Sequence, residues 1–201
     1  MPPKPGNDKE MAARSYNAAI DMVDRNVTEG RGGKLAFIDP ARRLTYGELA
    51  DAGARVGPML ARLGLQREDR VAMIMLDTVD FPILFWGAIR AGIVPIPLNT
   101  LLPVEQFRYI LQDSRAKALF VSAPFLKAAE TAMAELPLKT LVVVGDAPTQ
   151  YPSFGKLLDA ENAAAPAETS GDEVAFWLYS SGSTGMPKGV RHVHTSPMAT
   201  A

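Results

Sequence analysis

The chain has 201 residues, 47% of them apolar and 21% charged, with a net charge of −1 and no cysteine. This is an ordinary globular balance, with room for one domain and part of another. It gives no electrostatic case for a nucleic-acid or membrane-surface partner, and the lack of thiols excludes a disulfide framework, a cysteine nucleophile and a zinc–thiolate centre. The first ten residues lack the apolar stretch of a signal peptide, and the longest apolar run, Phe81 to Ile89, is far too short to span a bilayer, so a cytoplasmic location is expected.

Residues 1–14 are polar and proline-rich and read as a disordered tail. Tyr16 to Val27 reads as a helix with Ala19, Ile20 and Val23 on one side, and Gly30-Arg31-Gly32-Gly33 as a turn. A short strand follows at Lys34 to Asp39, then a turn at Pro40-Ala41-Arg42-Arg43. Thr45 and Glu48 have the spacing of a capping box. Behind it, Leu49, Gly53, Val56, Leu60 and Leu63 recur at threes and fours as one helical face, and Gly64 sits where a left-handed cap belongs. Arg70 to Leu76 reads as a buried strand and Asp77 to Ala91 as a helix that Gly92 ends, with Met73, Met75, Phe81, Phe85 and Trp86 as core. The early position of Asp77 and Asp80 in that helix explains them without a site. Ile93 to Leu98 carries two prolines, which suit an edge or irregular strand.

Pro103 suits the first position of a helix over Val104 to Gln112. Lys117 to Ser122 reads as a strand, Phe125 to Leu136 as a helix, Lys139 to Gly145 as a strand and Phe154 to Ala160 as a short helix. The organisation expected is an α/β subdomain over 15–162, a linker over 163–172, and a strand–loop–strand unit over 173–201 that ends in the start of a helix. Alternation of strand and helix from about residue 70 argues for a mostly parallel sheet flanked by helices.

The strongest chemical signal follows the strand Val174 to Ser180: Ser181-Gly182-Ser183-Thr184-Gly185-Met186-Pro187-Lys188-Gly189. Glycines let backbone N–H groups converge on an anion, hydroxyls add donors, and a lysine adds a mobile positive charge. Together they suit a nucleotide polyphosphate. A Walker A loop is excluded, because Lys188 lies between Pro187 and Gly189 and the following residues alternate like a strand rather than open a helix. A dinucleotide fingerprint and a nucleophile elbow are absent as well. His192 and His194 could face a metal from one side of that strand, but two histidines without a third ligand make a poor site.

This loop closely resembles the signature phosphate loop of the adenylate-forming superfamily (acyl- and aryl-CoA synthetases, luciferase, peptide-synthetase adenylation domains), whose pattern S-G-[ST]-T-G-x-P-K-G is matched from Ser181 through Gly189. The stretch Ala175 to Gly185, with Leu44 to Leu49 and Gly87 to Thr100, looks most like benzoate-CoA ligases. The resemblance implies the N-terminal part of such an enzyme's large domain. It implies activation of an aromatic or other carboxylate by ATP and Mg2+ as an acyl-adenylate, then transfer to coenzyme A. It places Ser180, Ser181, Gly182, Ser183, Thr184, Gly185 and Lys188 on the phosphates of ATP, and makes His194 a family histidine that packs or hydrogen-bonds. The acyl pocket, the adenine, ribose and magnesium ligands and the catalytic lysine of the family lie past residue 201, so no catalytic or metal residue is assigned and the chain reads as a fragment, expected to be inactive alone. Exposed apolar surface and self-association are expected of it. A non-catalytic nucleotide- or protein-binding module remains the alternative.

Overall fold

A computed structural model describes residues 15–180 and 185–200. The expected tail therefore lies outside the described residues. The first element is a π-turn at Ile20–Asp24 that runs into α1 (Arg25–Thr28). Ala19 and Val23, four residues apart, are buried together, whereas Ile20 is exposed, against the sequence expectation. One residue turns a helix by about 100°, enough to carry Ile20 out of the apolar stripe.

Strands β1 (Leu35–Ile38) and β2 (Arg43–Thr45) form an antiparallel hairpin. The sequence pattern puts Arg43 in the turn and gives no sign of β2. The turn sits one residue earlier: Asp39 Oδ1 accepts from the N–H groups of Ala41 at 2.8 Å and Arg42 at 2.6 Å. Asp39 Oδ2 also accepts from the Val79 N–H at 2.9 Å, and these N–H groups, Val79 foremost, hold its carboxyl below the usual range. Helix α2 (Tyr46–Arg62) starts at the expected capping box: Thr45 Oγ1 accepts from the Glu48 N–H, and Glu48 Oε2 accepts from the Thr45 N–H at 2.8 Å. It ends ahead of Gly64, at φ +86°.

The centre is a parallel sheet of β3 (Arg70–Ile74), β4 (Val94–Pro97), β5 (Ala118–Ser122) and β6 (Thr140–Val144), in the order β4-β3-β5-β6. The proline-bearing β4 is its edge, as a strand short of N–H donors requires. Helices α3 (Asp80–Arg90), α4 (Val104–Ser114), α5 (Leu126–Met133) and α6 (Phe154–Asp159) complete the α/β layers. Pro103 precedes α4 as its extended N-cap residue rather than its first helical residue. Side chains of the central strands alternate between two cores. Val71, Met73, Phe120 and Val142 join α2, α3 and α6 on one face; Ala72, Ile74, Leu119 and Val121 join α4 and α5 on the other.

Two features lock α2 and α3 together. Gly53 and Gly87 let the helices touch by backbone: a Cβ on Gly87 would stand 2.5 Å from Val56 Cγ2 and 2.9 Å from the Gly53 carbonyl oxygen. Pro58, inside α2, has no N–H to offer the Ala54 carbonyl four residues back. The Ala164 N–H, from the Ala- and Pro-rich segment after α6, donates to that carbonyl at 3.0 Å instead. Further along, the Ala167 N–H donates to the Arg90 carbonyl at 2.9 Å, and Arg90 Nη1 donates to the Ala164 carbonyl at 2.6 Å. The segment thus lies as a strap across the middle of α2 and the C-terminal end of α3.

The chain closes with an antiparallel hairpin, β7 (Val174–Ser180) and β8 (Lys188–Val193), and a short helix α7 (Ser196–Thr200). Strand β7 lies along the β4 edge. None of the described helices is long and apolar enough to cross a membrane.

Gly87→Ala tests the helix contact. Backbone cannot yield as a side chain can, so the substitution is expected to destabilise the fold by about 2 kcal/mol. Urea unfolding followed by circular dichroism reads this out; an unchanged midpoint would contradict the close approach.

Candidate nucleotide-phosphate site

The β7–β8 hairpin sets the geometry of the glycine-rich loop. Its ladder runs from Val174↔Val193 to Ser180↔Lys188, so the loop leaves β7 at Ser180 and returns directly opposite at Lys188. Gly185 has φ +88°, a left-handed conformation that a Cβ would oppose. Lys188 is exposed and makes no ion pair among the described residues. Of the seven residues expected on the phosphates, Ser180, Gly185 and Lys188 are thus brought together. Ser181, Gly182, Ser183 and Thr184 lie outside the described residues.

Beside the loop is a recess of about 300 Å³. Tyr179, Ser180, Gly185 and Pro187 form one wall, and Pro97, Leu98, Asn99, Leu102 and Gln106 form the other, so it opens past the C-terminal end of β4. Ligands of open α/β sheets bind at that end of the strands. Asn99 is partly committed, because its Oδ1 accepts from the Leu101 N–H at 2.9 Å. Ser180 brings a hydroxyl and Gly185 a backbone N–H to this recess, donor types that suit an anion. A more apolar recess of about 480 Å³ lies at the opposite end of the strands, floored by Leu65, Leu111, Leu136 and Leu138, and has no glycine cradle.

Sequence reasoning missed Tyr179. Its hydroxyl donates to Asp113 Oδ2 at 2.6 Å, and its ring lies against Gly189, where a Cβ would stand 3.0 Å from Cζ. Burial, then the Asp113 carboxylate, pushes the phenol pKa well up, so it stays a donor. The only hint in the sequence is a tyrosine at the end of an otherwise apolar strand.

The two histidines take separate places. His192 stacks on Phe176 with ring centroids 4.6 Å apart and planes 3° off parallel. His194 is buried, and its Nδ1 accepts from the Ala18 N–H at 3.1 Å, which leaves the ring proton on Nε2. Among the described residues, no group of three or more His, Asp or Glu side chains could hold a metal.

With this geometry stand the likenesses to known proteins. Residues 23–201 match the AMP-binding enzyme family. The chain belongs to that family. It is 61% identical over 193 residues to the 4-hydroxybenzoate–CoA/benzoate–CoA ligase of Rhodopseudomonas palustris, covering 95% of this chain and 36% of the relative. A solved benzoate CoA ligase from Burkholderia xenovorans superposes with a TM-score of 0.82 at 37% identity, over 92% of this chain and 36% of that one. An anthranilate CoA ligase, AuaEII, solved with anthranoyl-AMP, gives a TM-score of 0.85 at 33% identity, over 90% of this chain and 35% of that one. The chain spans about a third of the length of these relatives, which bears out the expected correspondence to their N-terminal part. The family read from the loop motif and the α/β fold read from the strand–helix alternation are confirmed.

His194 gives this family member a measurable acid sensitivity. Burial, its largest influence, holds the imidazole below the ordinary value of 6.5; Glu173 opposes and Arg67 reinforces that shift. The unfolded chain therefore binds the proton first as pH falls. Stability is full above about pH 6.5 and declines as the pH drops through the folded-state value. Melting temperatures taken from pH 8 to 5 should fall on the acid side, and His194→Gln should flatten that fall.

Proposed function

We propose that this chain carries the ATP phosphate loop of an AMP-forming aryl-CoA ligase that acts on benzoate or a close hydroxylated analogue. The observation that carries the reading is the Ser180↔Lys188 pairing, which returns the lysine to the mouth of a glycine-rich loop beside a recess at the strand ends. The 61% identity to a ligase named for benzoate and 4-hydroxybenzoate supports the substrate class.

In the first half-reaction the carboxylate attacks the α-phosphorus and pyrophosphate leaves. Negative charge builds on the departing oxygens. Ser181, Ser183 and Thr184 donate hydroxyls to the β- and γ-phosphates, with the Gly182 and Gly185 backbone beside them and the Ser180 hydroxyl at the loop entrance. Lys188 neutralises the terminal phosphate. Groups fixed before charge develops lower the barrier because little has to reorganise as the bond breaks. A divalent cation bound with ATP would offset phosphate charge; among the described residues no group of three or more His, Asp or Glu side chains could hold it. Coenzyme A thiol then displaces AMP from the acyl-adenylate to give the thioester.

The native-length gene product should catalyse ATP–pyrophosphate exchange that depends on benzoate or 4-hydroxybenzoate. Lys188→Ala should lower its kcat/KM by about a hundredfold, the usual effect of removing one charge-stabilising donor. Undiminished exchange in that variant would remove Lys188 from the role. Absence of exchange with any aromatic carboxylate would favour a binding module without chemistry.

A further inference from the structure

Tyr179 and Asp113 lie outside the glycine-rich motif, and no step of the proposed chemistry uses them. Yet their contact joins the loop to the main core. Asp113 sits in the last turn of α4, a helix fixed on the sheet by buried Phe107, Ile110 and Leu111. Its Oδ2 accepts from the Tyr179 hydroxyl at 2.6 Å, across 66 residues of sequence. The ring between these ends packs on Gly189, which faces Tyr179 across the hairpin and directly follows Lys188. Ser180, where the loop leaves β7, directly follows Tyr179. One side chain is therefore adjacent to both roots of the loop and bonded to the core helix.

The geometry points to Tyr179 and Asp113 as a positioning pair that fixes the two roots of the phosphate loop, Ser180 and Lys188, before nucleotide arrives. The inference rests on the phosphate-loop reading given above. A two-stranded ribbon is a soft support by itself. If the roots at Ser180 and Lys188 shifted, bound ATP would have to fix them, and affinity would fall by that cost. A phenol makes a stiff tether, with few rotatable bonds, and burial keeps it protonated as a donor to the carboxylate. Glycine at 189 serves the same end, since a Cβ there would displace the ring.

The test uses the native-length protein. Tyr179→Phe keeps the ring on Gly189 and removes only the hydroxyl. It should raise the KM for ATP about fivefold, the scale of one charge-assisted hydrogen bond in a partly open site. The KM for benzoate and the rate of thioester formation from preformed benzoyl-AMP should not move. Asp113→Ala should match it, Asp113→Asn, which keeps an acceptor oxygen, should lie between, and the double variant Tyr179→Phe/Asp113→Ala should be no worse than either single. An unchanged ATP KM in Tyr179→Phe overturns the inference. So does an equal rise in both substrate KM values with a lowered melting temperature, which would mean a scaffold role alone. If the wild-type protein shows no carboxylate-dependent exchange, the ligase reading fails separately. Equilibrium binding of ATP then decides the pair: weaker binding by Tyr179→Phe supports it, and equal binding overturns it.

Discussion

A two-stranded ribbon cannot stabilise itself in water, and the candidate site is built on one. Everything about the β7–β8 hairpin follows from that constraint. It is attached to the larger layers at several independent points along its length. Phe176 packs edge-on to Phe85 of α3, with centroids 5.4 Å apart, and sandwiches with His192 on its other strand. At the base of β7, Glu173 pairs with Arg67 at 2.5 Å and accepts from the Ser170 N–H at 2.9 Å. Its carbonyl accepts from the His194 N–H at 3.0 Å. Tyr179 anchors the distal end. The outer positions Leu178, Met186 and Val190 remain exposed, so the attachment is one-sided.

The sheet that supports this ribbon is buried on both faces, which explains the near-continuous apolar runs of β3 and β5. Covering both faces needs helices at close quarters, and α2 with α3 reaches this by a glycine on each. Pro58 creates a free carbonyl within α2, and the strap supplies the missing donor. A sequence that reads as a featureless Ala/Pro stretch thus completes a hydrogen-bond ladder that a proline had interrupted.

Local chemistry is legible in the sequence where a residue's own backbone preference or short-range partner decides the structure. The Thr45–Glu48 capping box, the left-handed Gly64 and Gly92, the edge strand at Val94–Pro97 and the buried runs of β3 and β5 all follow from such rules. The family can be read from nine ordered residues around Lys188. What stays hidden depends on distant partners. Strand β2 is three residues long with two polar members, so its pattern is too short to announce itself; only pairing with β1 makes it a strand. Pro103 fits either side of a helix start, and its extended ψ of 156° places it outside. The Tyr179–Asp113 bond joins two residues whose sequence contexts, an apolar strand and a polar helix end, say nothing of each other. His192 and His194 read alike by spacing, yet one meets a ring and the other a buried N–H.

The His194–Ala18 bond also bears on how the protein is made. It joins residues 176 apart, and Thr169 Oγ1 donates to the Tyr16 carbonyl across 153. Ribosomes add about 5–20 residues each second, so the first helical segment is made roughly 8 to 35 seconds before its partners exist. During that interval Ala18, Ala19 and Val23 have only part of their native surroundings. The parallel sheet can assemble meanwhile, because its strands lie between. Residues 16–23 are therefore among the last to be secured, and their docking reports that the β7–β8 hairpin is in place.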